Sequence, residues 1–347
     1  MFNSSIKRIG FCCKYMHDDQ SLSKRELEEL QRPLNTKATT VAWLNRQSRE
    51  DAEQRMLDIM IHNTEAVRRL VEYVSSLPEN RRMVRIGSDI LPVYTQPDWS
   101  YFWRRSDVLD DMLPRFAAIG ELARRTDVRL SFHPGQFCVL ASDNPEIVNR
   151  SIEEFEYHAD MARWMGYGRS FQDFKINVHI AGRQGPAGIR AALKRLSPEA
   201  RSALTIENDE MSWGLEDSLE LEKDCALVMD IHHHWVKTGE YIEASDDRVK
   251  RIIDSWRGVR PAMHYSVSRE DLLTEHCRDT RPDFNTLLEN GYKKGKLRAH
   301  SDYYWNSAVN EWAASFWDQF DIQCESKAKN LASKAFYEFA IGNRHKV

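Results

Sequence analysis

Eight short runs rich in β-branched and aromatic residues, each followed by a longer stretch with helical periodicity, set the tightest limit on what this chain can fold into. The strand-like runs are 7–13 (KRIGFCC), 83–88 (MVRIGS), 128–132 (VRLSF), 175–180 (KINVHI), 203–207 (ALTIE), 226–231 (ALVMDI), 261–265 (PAMHY) and 320–325 (FDIQCE). Helical stretches are expected near 50–76, 107–125, 145–166, 186–196, 215–223, 244–257, 305–318 and 327–341. Capping chemistry at Ser106–Asp107 and Asn144–Pro145 opens the second and third of these. Strands separated by helices run parallel, because the helix carries the chain back to the start of the next strand. Eight such units close economically into a (β/α)8 TIM barrel, with an open doubly wound sheet as the rival. The 347 residues suit one such domain, 1–347. Two stretches break the rhythm, 14–45 and 266–304, and connections of that length on a barrel rim are usually functional.

Seven side chains able to bind metal fall at the C-terminal ends of these strands. They are His133 in SFHPGQF, His179 in NVHIAG, Glu207 in LTIEND, Asp230 and His233 in LVMDIHHHW, His264 in AMHYS and Glu325 in FDIQCES. In a closed barrel those ends share one rim, the rim where such enzymes do their chemistry. Each residue alone has an ordinary explanation, as a hydrogen-bonded histidine, a helix cap or a salt-bridge partner. Their recurrence at six strand ends does not. Imidazoles and carboxylates without thiolates suit Zn²⁺ or Mn²⁺. Phosphodiester hydrolysis needs an attacking hydroxide and positive charge on the developing oxyanions, and clustered divalent cations supply both. Glu207 could bridge two of them. His232–His234 are expected on a strand running into a loop, with only some of the three facing the site.

Composition narrows the rest. A net charge of −4 gives no overall signal for nucleic acid, so a polyanion would have to meet local patches: Arg104, Arg105, Arg124, Arg125, or Lys293, Lys294, Lys296 and Arg298. No run reaches the roughly 18 apolar residues of a spanning helix, and the N-terminus lacks a signal-like apolar region. A soluble, cytoplasmic chain with no membrane partner is expected. The six cysteines show no CxxC pair; Cys138, Cys225 and Cys324 lie in apolar runs and read as reduced core residues.

The motifs RIGFCCKY, RIGSDILP, SFHPGQF, NVHIAG, LTIENDE, DIHHHW, HYSVS, AHSDY and ESKAK run from one end of the chain to the other. Together they resemble the UV damage endonuclease family, metal-dependent TIM-barrel DNA repair enzymes related in architecture to endonuclease IV and the xylose isomerase-like barrels. The resemblance implies two or three divalent metals (Mn²⁺ or Zn²⁺) per chain. It places His133, His179 and Glu207 on the first; Glu207, Asp230, His264 and Glu325 on the second; and His233 and His300 on a third. Glu207, Asp230, His133 and Glu325 become the expected catalytic set. Gln136 and Phe137 match the pair that probes the lesion by entering the duplex. The implied partner is damaged double-stranded DNA, bound by a monomer and cut 5′ to the lesion to leave a 3′-hydroxyl and a 5′-phosphate.

Two departures from the family pattern stand out. Gln96 replaces the histidine of a Thr-His-Pro motif and offers only a weak, neutral ligand, and Ala262 replaces the lysine of Lys-x-His. The stretch 270–298 is longer than the family norm. These differences leave room for a sugar isomerase-like metalloenzyme acting on a small polyol, or for a lesion-binding relative with weakened catalysis.

Overall fold

All eight expected strands form, and they pair in parallel, in chain order, around a closed barrel. The structure, a computed structural model, describes residues 2–344. The strands are β1 (Ile9–Cys13), β2 (Met83–Ile86), β3 (Arg129–Phe132), β4 (Lys175–His179), β5 (Leu204–Glu207), β6 (Ala226–Asp230), β7 (Ala262–Tyr265) and β8 (Asp321–Cys324). β8 closes on β1 through Ile9 opposite Ile322.

Period-two alternation decides what each strand sends inward. Ile176, Val178, Leu204, Ile206, Leu227 and Met229 pack in the main apolar core. The alternate residues enter the lumen and meet across it, between strands that are not neighbours. Lys175 on β4 reaches His264 on β7, and Arg129 on β3 reaches Asp321 on β8. At the strands' N-terminal end, buried Asp321 accepts hydrogen bonds from Arg129, Arg260 and the Arg8 backbone at 2.7, 2.7 and 2.8 Å. A buried carboxylate is tolerable only with such partners. Gly10 lets β1 and β2 approach there, since a Cβ at that position would sit 2.5 Å from the Met83 carbonyl oxygen.

The first crossover helix, Arg49–Ser75, starts where the Ser48 hydroxyl accepts from the Asp51 amide. It buries Ala52, Met56, Met60, Val67, Leu70 and Val74 along one face. Asn144 caps Pro145–Trp164 as expected. Ser106 does not cap its helix: it is the first residue of Ser106–Arg125, Arg105 holds the cap position, and no side chain bonds there. The histidine triplet is also placed differently from the sequence reading. His232–His234 lie in a helix, Ile231–Thr238, because the Asp230 carboxylate accepts from the His233 amide and turns the chain directly from β6 into a helical turn.

Both long connections are ordered excursions. The stretch 14–45 contains the helix Lys24–Gln31, opened by a reciprocal Ser23–Glu26 capping box. The stretch 266–304 contains the short helices Phe284–Glu289 and Lys294–Leu297, and its two ends meet where Ser268 bridges to His300. Arg124 and Arg125 end a helix that leads into β3, so they lie on the face opposite the strand ends. Arg105 is paired with Glu53 and Asp107. Arg104 and Arg105 in the connection after β2, and the group in 293–298 in the connection after β7, lie at the same end of the barrel as the site. No helix among the described residues is long and apolar enough to cross a membrane. Cys138, Cys225 and Cys324 are buried and free.

Candidate metal centre

Glu207, at the end of β5 and fully buried, is the hub of the rim. Four imidazoles from four other elements approach its carboxylate: His133 at 3.5 Å, His179 at 3.8 Å, His233 at 3.4 Å and His264 at 3.0 Å. Asn177, one turn of the pleat below His179, donates to its Oε2. Four groupings have donor atoms all within 4.8 Å of one another: His133/His179/Glu207, His179/Glu210/His233, Glu207/Asp230/His233 and Asp230/His264/Glu325.

Two features make this a set suited to cations rather than a network that satisfies itself. Glu207 Oε1, Glu210 Oε2, Asp230 Oδ2 and His264 Nδ1 are buried without a hydrogen-bond partner. Glu207 Oε1 and His264 Nδ1 are 3.0 Å apart, yet out of line for a hydrogen bond, so both face a common space. Orphaned polar atoms cost about 1–3 kcal/mol each in a protein interior, and several converging on one space call for a ligand. The second feature is the anchoring of the rings. His133 Nδ1 lies 2.8 Å from the Pro134 carbonyl, His179 Nδ1 3.3 Å from Asp209, and His233 Nδ1 3.0 Å from the Asn208 carbonyl. Each contact takes the Nδ1 proton and turns Nε2 toward the site, where a bound cation would displace any proton the ring carries, the usual outer support of a metal-binding histidine.

The charges are tightly linked. Burial pushes Glu207 upward, but the imidazoles of His264, His179 and His133 outweigh it and hold the carboxyl well below its ordinary value. Asp230 is raised to about 7, by burial and then by Glu207 and Glu325 against the pull of His233. His233 is raised to about 10: burial opposes its charge, but Asp230, Glu207, Glu210 and Glu325 surround it.

Beneath this layer lie residues that the sequence reading missed. Lys175 Nζ is 3.0 Å from His264 Nε2, and burial followed by the nearby Arg85 lowers it to about 7. Arg85 on β2 pairs with Glu325. Ala262 is thus not the end of lysine chemistry here, because a lysine from β4 reaches the same histidine across the lumen. Strand parity was the available signal: Lys175, Asn177 and His179 share one face of β4.

The remaining candidates are more spread out. His300 joins none of the four groupings; its ring is 6.0 Å from that of His232. His232 is bonded to Ser266 and Ser268, and His234 to Glu240. Gln96 is exposed in the loop after β2 and lines a cavity of about 290 Å³ with Thr95, Glu154 and Tyr157. Gln136 and Phe137 form the tip of a turn closed by the Cys138 amide on the Gly135 carbonyl. Phe137 is 85% exposed, which excludes a half-buried core role. Met211, on the β5 loop, is a second exposed apolar residue of the rim.

A family model described as UV-endonuclease UvdE matches residues 8–339. A UV DNA damage endonuclease of Bacillus velezensis is 26% identical over 308 residues, covering 85% of this chain and 86% of that one. One from Bacillus thuringiensis subsp. konkukian is 24% identical over 314 residues, covering 87% and 88%. In fold, the chain resembles the crystal structure of SacUVDE, with TM-score 0.71 and 22% identity over 97% of this chain and 99% of that one. Endonuclease IV from Thermus thermophilus aligns at TM-score 0.51 and 12% identity, over 81% and 95%.

Proposed function

Because the chain belongs to the UV-endonuclease UvdE family, a family of DNA repair endonucleases, we propose that it is a metal-dependent enzyme cutting the phosphodiester 5′ to UV-type and other distorting lesions. The products would be a 3′-hydroxyl and a 5′-phosphate. The observation that carries the metal dependence is that Glu207 Oε1, Asp230 Oδ2 and His264 Nδ1 are buried and unpartnered, with Asp230 in one donor grouping with Glu207 and His233 and in another with His264 and Glu325.

His133, His179, Glu207, Asp230, His233, His264 and Glu325 are the residues that would hold the cations. Two or three divalent ions there, Mn²⁺ or Zn²⁺, would lower the pKa of bound water and offset the charge developing on phosphate oxygens. The protein's own part is to fix the geometry beforehand. Pro134, Asn208 and Asp209 lock three rings from behind, while Lys175 and Arg85 brace His264 and Glu325 from below. Gln136 and Phe137 would enter the duplex at the lesion, where weakened stacking makes the entry cheapest. An aromatic held out in solvent on a hydrogen-bonded turn supports a duplex partner; a pocket for a small polyol has no use for it.

The test is a duplex carrying one UV photoproduct, incubated with the protein and Mn²⁺, with both new ends mapped. One break on the 5′ side with a 3′-hydroxyl and a 5′-phosphate is the expected result. Tight lesion binding without incision would replace this reading with that of a binding protein.

A further inference from the structure

We propose that Glu210 is a cation ligand, forming with His233 an outer site at the mouth of the barrel, above the positions centred on Glu207. Glu210 lies three residues beyond Glu207 in the β5 loop, so it stands at the rim rather than in the lumen. Its carboxylate is buried and split between two environments. Oε1 lies 3.1 Å from the Arg298 guanidinium, which projects from the 266–304 segment. Oε2 has no hydrogen-bond partner and lies 3.6 Å from His233 Nε2. That nitrogen is turned toward the site by the Nδ1 contact with the Asn208 carbonyl, and a bound cation would displace its proton. Tetrahedral coordination with bonds of about 2.1 Å puts neighbouring donors roughly 3.4 Å apart, close to the separation seen here.

His179 completes the triangle within 4.8 Å. Its single free nitrogen also faces Glu207, so it cannot serve both positions at once. When His179 stays with His133 and Glu207, the outer ion keeps open coordination positions on the solvent side, where a phosphate oxygen could bind. The competing explanation is that Glu210 exists only to pair with Arg298. That pairing uses Oε1 only; Oε2 faces the His233 ring at 3.6 Å without a hydrogen bond, a separation that a shared cation would bridge once the ring's proton is displaced. His300 has no comparable approach to the groupings.

The inference rests on the metal-dependent reading above, and metal titration separates the two. Chelator-stripped wild type, Glu210→Gln and Glu210→Ala are titrated with Mn²⁺ alone, counting bound equivalents and their affinities, with the unfolding midpoint of each metal-free protein measured alongside. Glutamine keeps the shape and an acceptor for Arg298 but removes the anionic donor. Both variants should hold the wild-type midpoint and lose one equivalent, or bind the weakest equivalent at least tenfold less tightly, while the others are unchanged. Wild-type number and affinity in both variants would overturn the Glu210 site and leave the Glu207-centred reading standing. A wild type that takes up no Mn²⁺ would overturn both.

Discussion

Glu207→Gln probes the hub of the centre with the smallest change in shape. The substitution keeps an acceptor for Asn177 and removes one negative charge from a fully buried position facing four imidazoles. Glu207 belongs to two of the four donor groupings, so two of the proposed cation positions would lose a ligand together. Losing an outer support of a metal ligand typically costs roughly 10–100-fold in affinity. A ligand itself should cost at least the upper end, about 100-fold at each position. Two positions would then lose on the order of 10⁴-fold together, or about 5.6 kcal/mol at 1.4 kcal/mol per decade. The assay pairs Mn²⁺ content after dialysis with nicking of UV-irradiated supercoiled plasmid, and metal-free thermal unfolding shows that the barrel is intact. The variant should retain less than half the wild-type metal and nick at background rate. Full metal content with nicking within tenfold of wild type would refute Glu207 as the shared ligand.

Three further outcomes are expected. Phe137→Ala should weaken incision of a lesion duplex by roughly 10–100-fold, the range for one aromatic–base stack, while metal content and stability stay unchanged because the ring is 85% exposed; unchanged incision would remove Phe137 from the interface. Gly10→Ala places a Cβ 2.5 Å from the Met83 carbonyl and should lower unfolding stability by about 1–3 kcal/mol in urea titration. His158, fully buried, is pushed down to about 4 by burial. An unfolded histidine near 6.5 takes up a proton first, so this contribution is present above that pH and is lost as pH falls toward 4. It amounts to about 2 kcal/mol between pH 7 and pH 5, and His158→Gln should flatten the acid limb of stability by that amount.

The barrel was legible because its strands are short, β-branched and regularly spaced, and the observed bounds differ from the expected ones by two residues or fewer at each end. The rim donors were legible because strand ends are easy to locate in such a chain. Lys175 and Arg85 were missed by looking only at strand ends, although their parity with His179 on β4 and with the β2 lumen face was readable. The helix Ile231–Thr238 is hard to read from sequence because Asp230 has two roles open to it, a candidate ligand whose side chain also caps the turn through the His233 amide. The Ser23–Glu26 capping box was a clear pattern inside a stretch treated as a loop. Glu210 lies beyond its strand, where no periodicity applies. Only the folded arrangement shows that Arg298, distant in sequence, meets it.

If imidazoles and carboxylates from separate strands hold the divalent ions that cut damaged DNA, incision must come and go with those ions. Nicking of irradiated and untreated supercoiled plasmid by one preparation, before and after chelator treatment and again after Mn²⁺ is restored, tests it most directly. Nicks in irradiated plasmid should disappear on chelation and return with Mn²⁺, with none above background in untreated plasmid. Undiminished nicking by verifiably metal-free protein, or equal nicking of both plasmids, would contradict it.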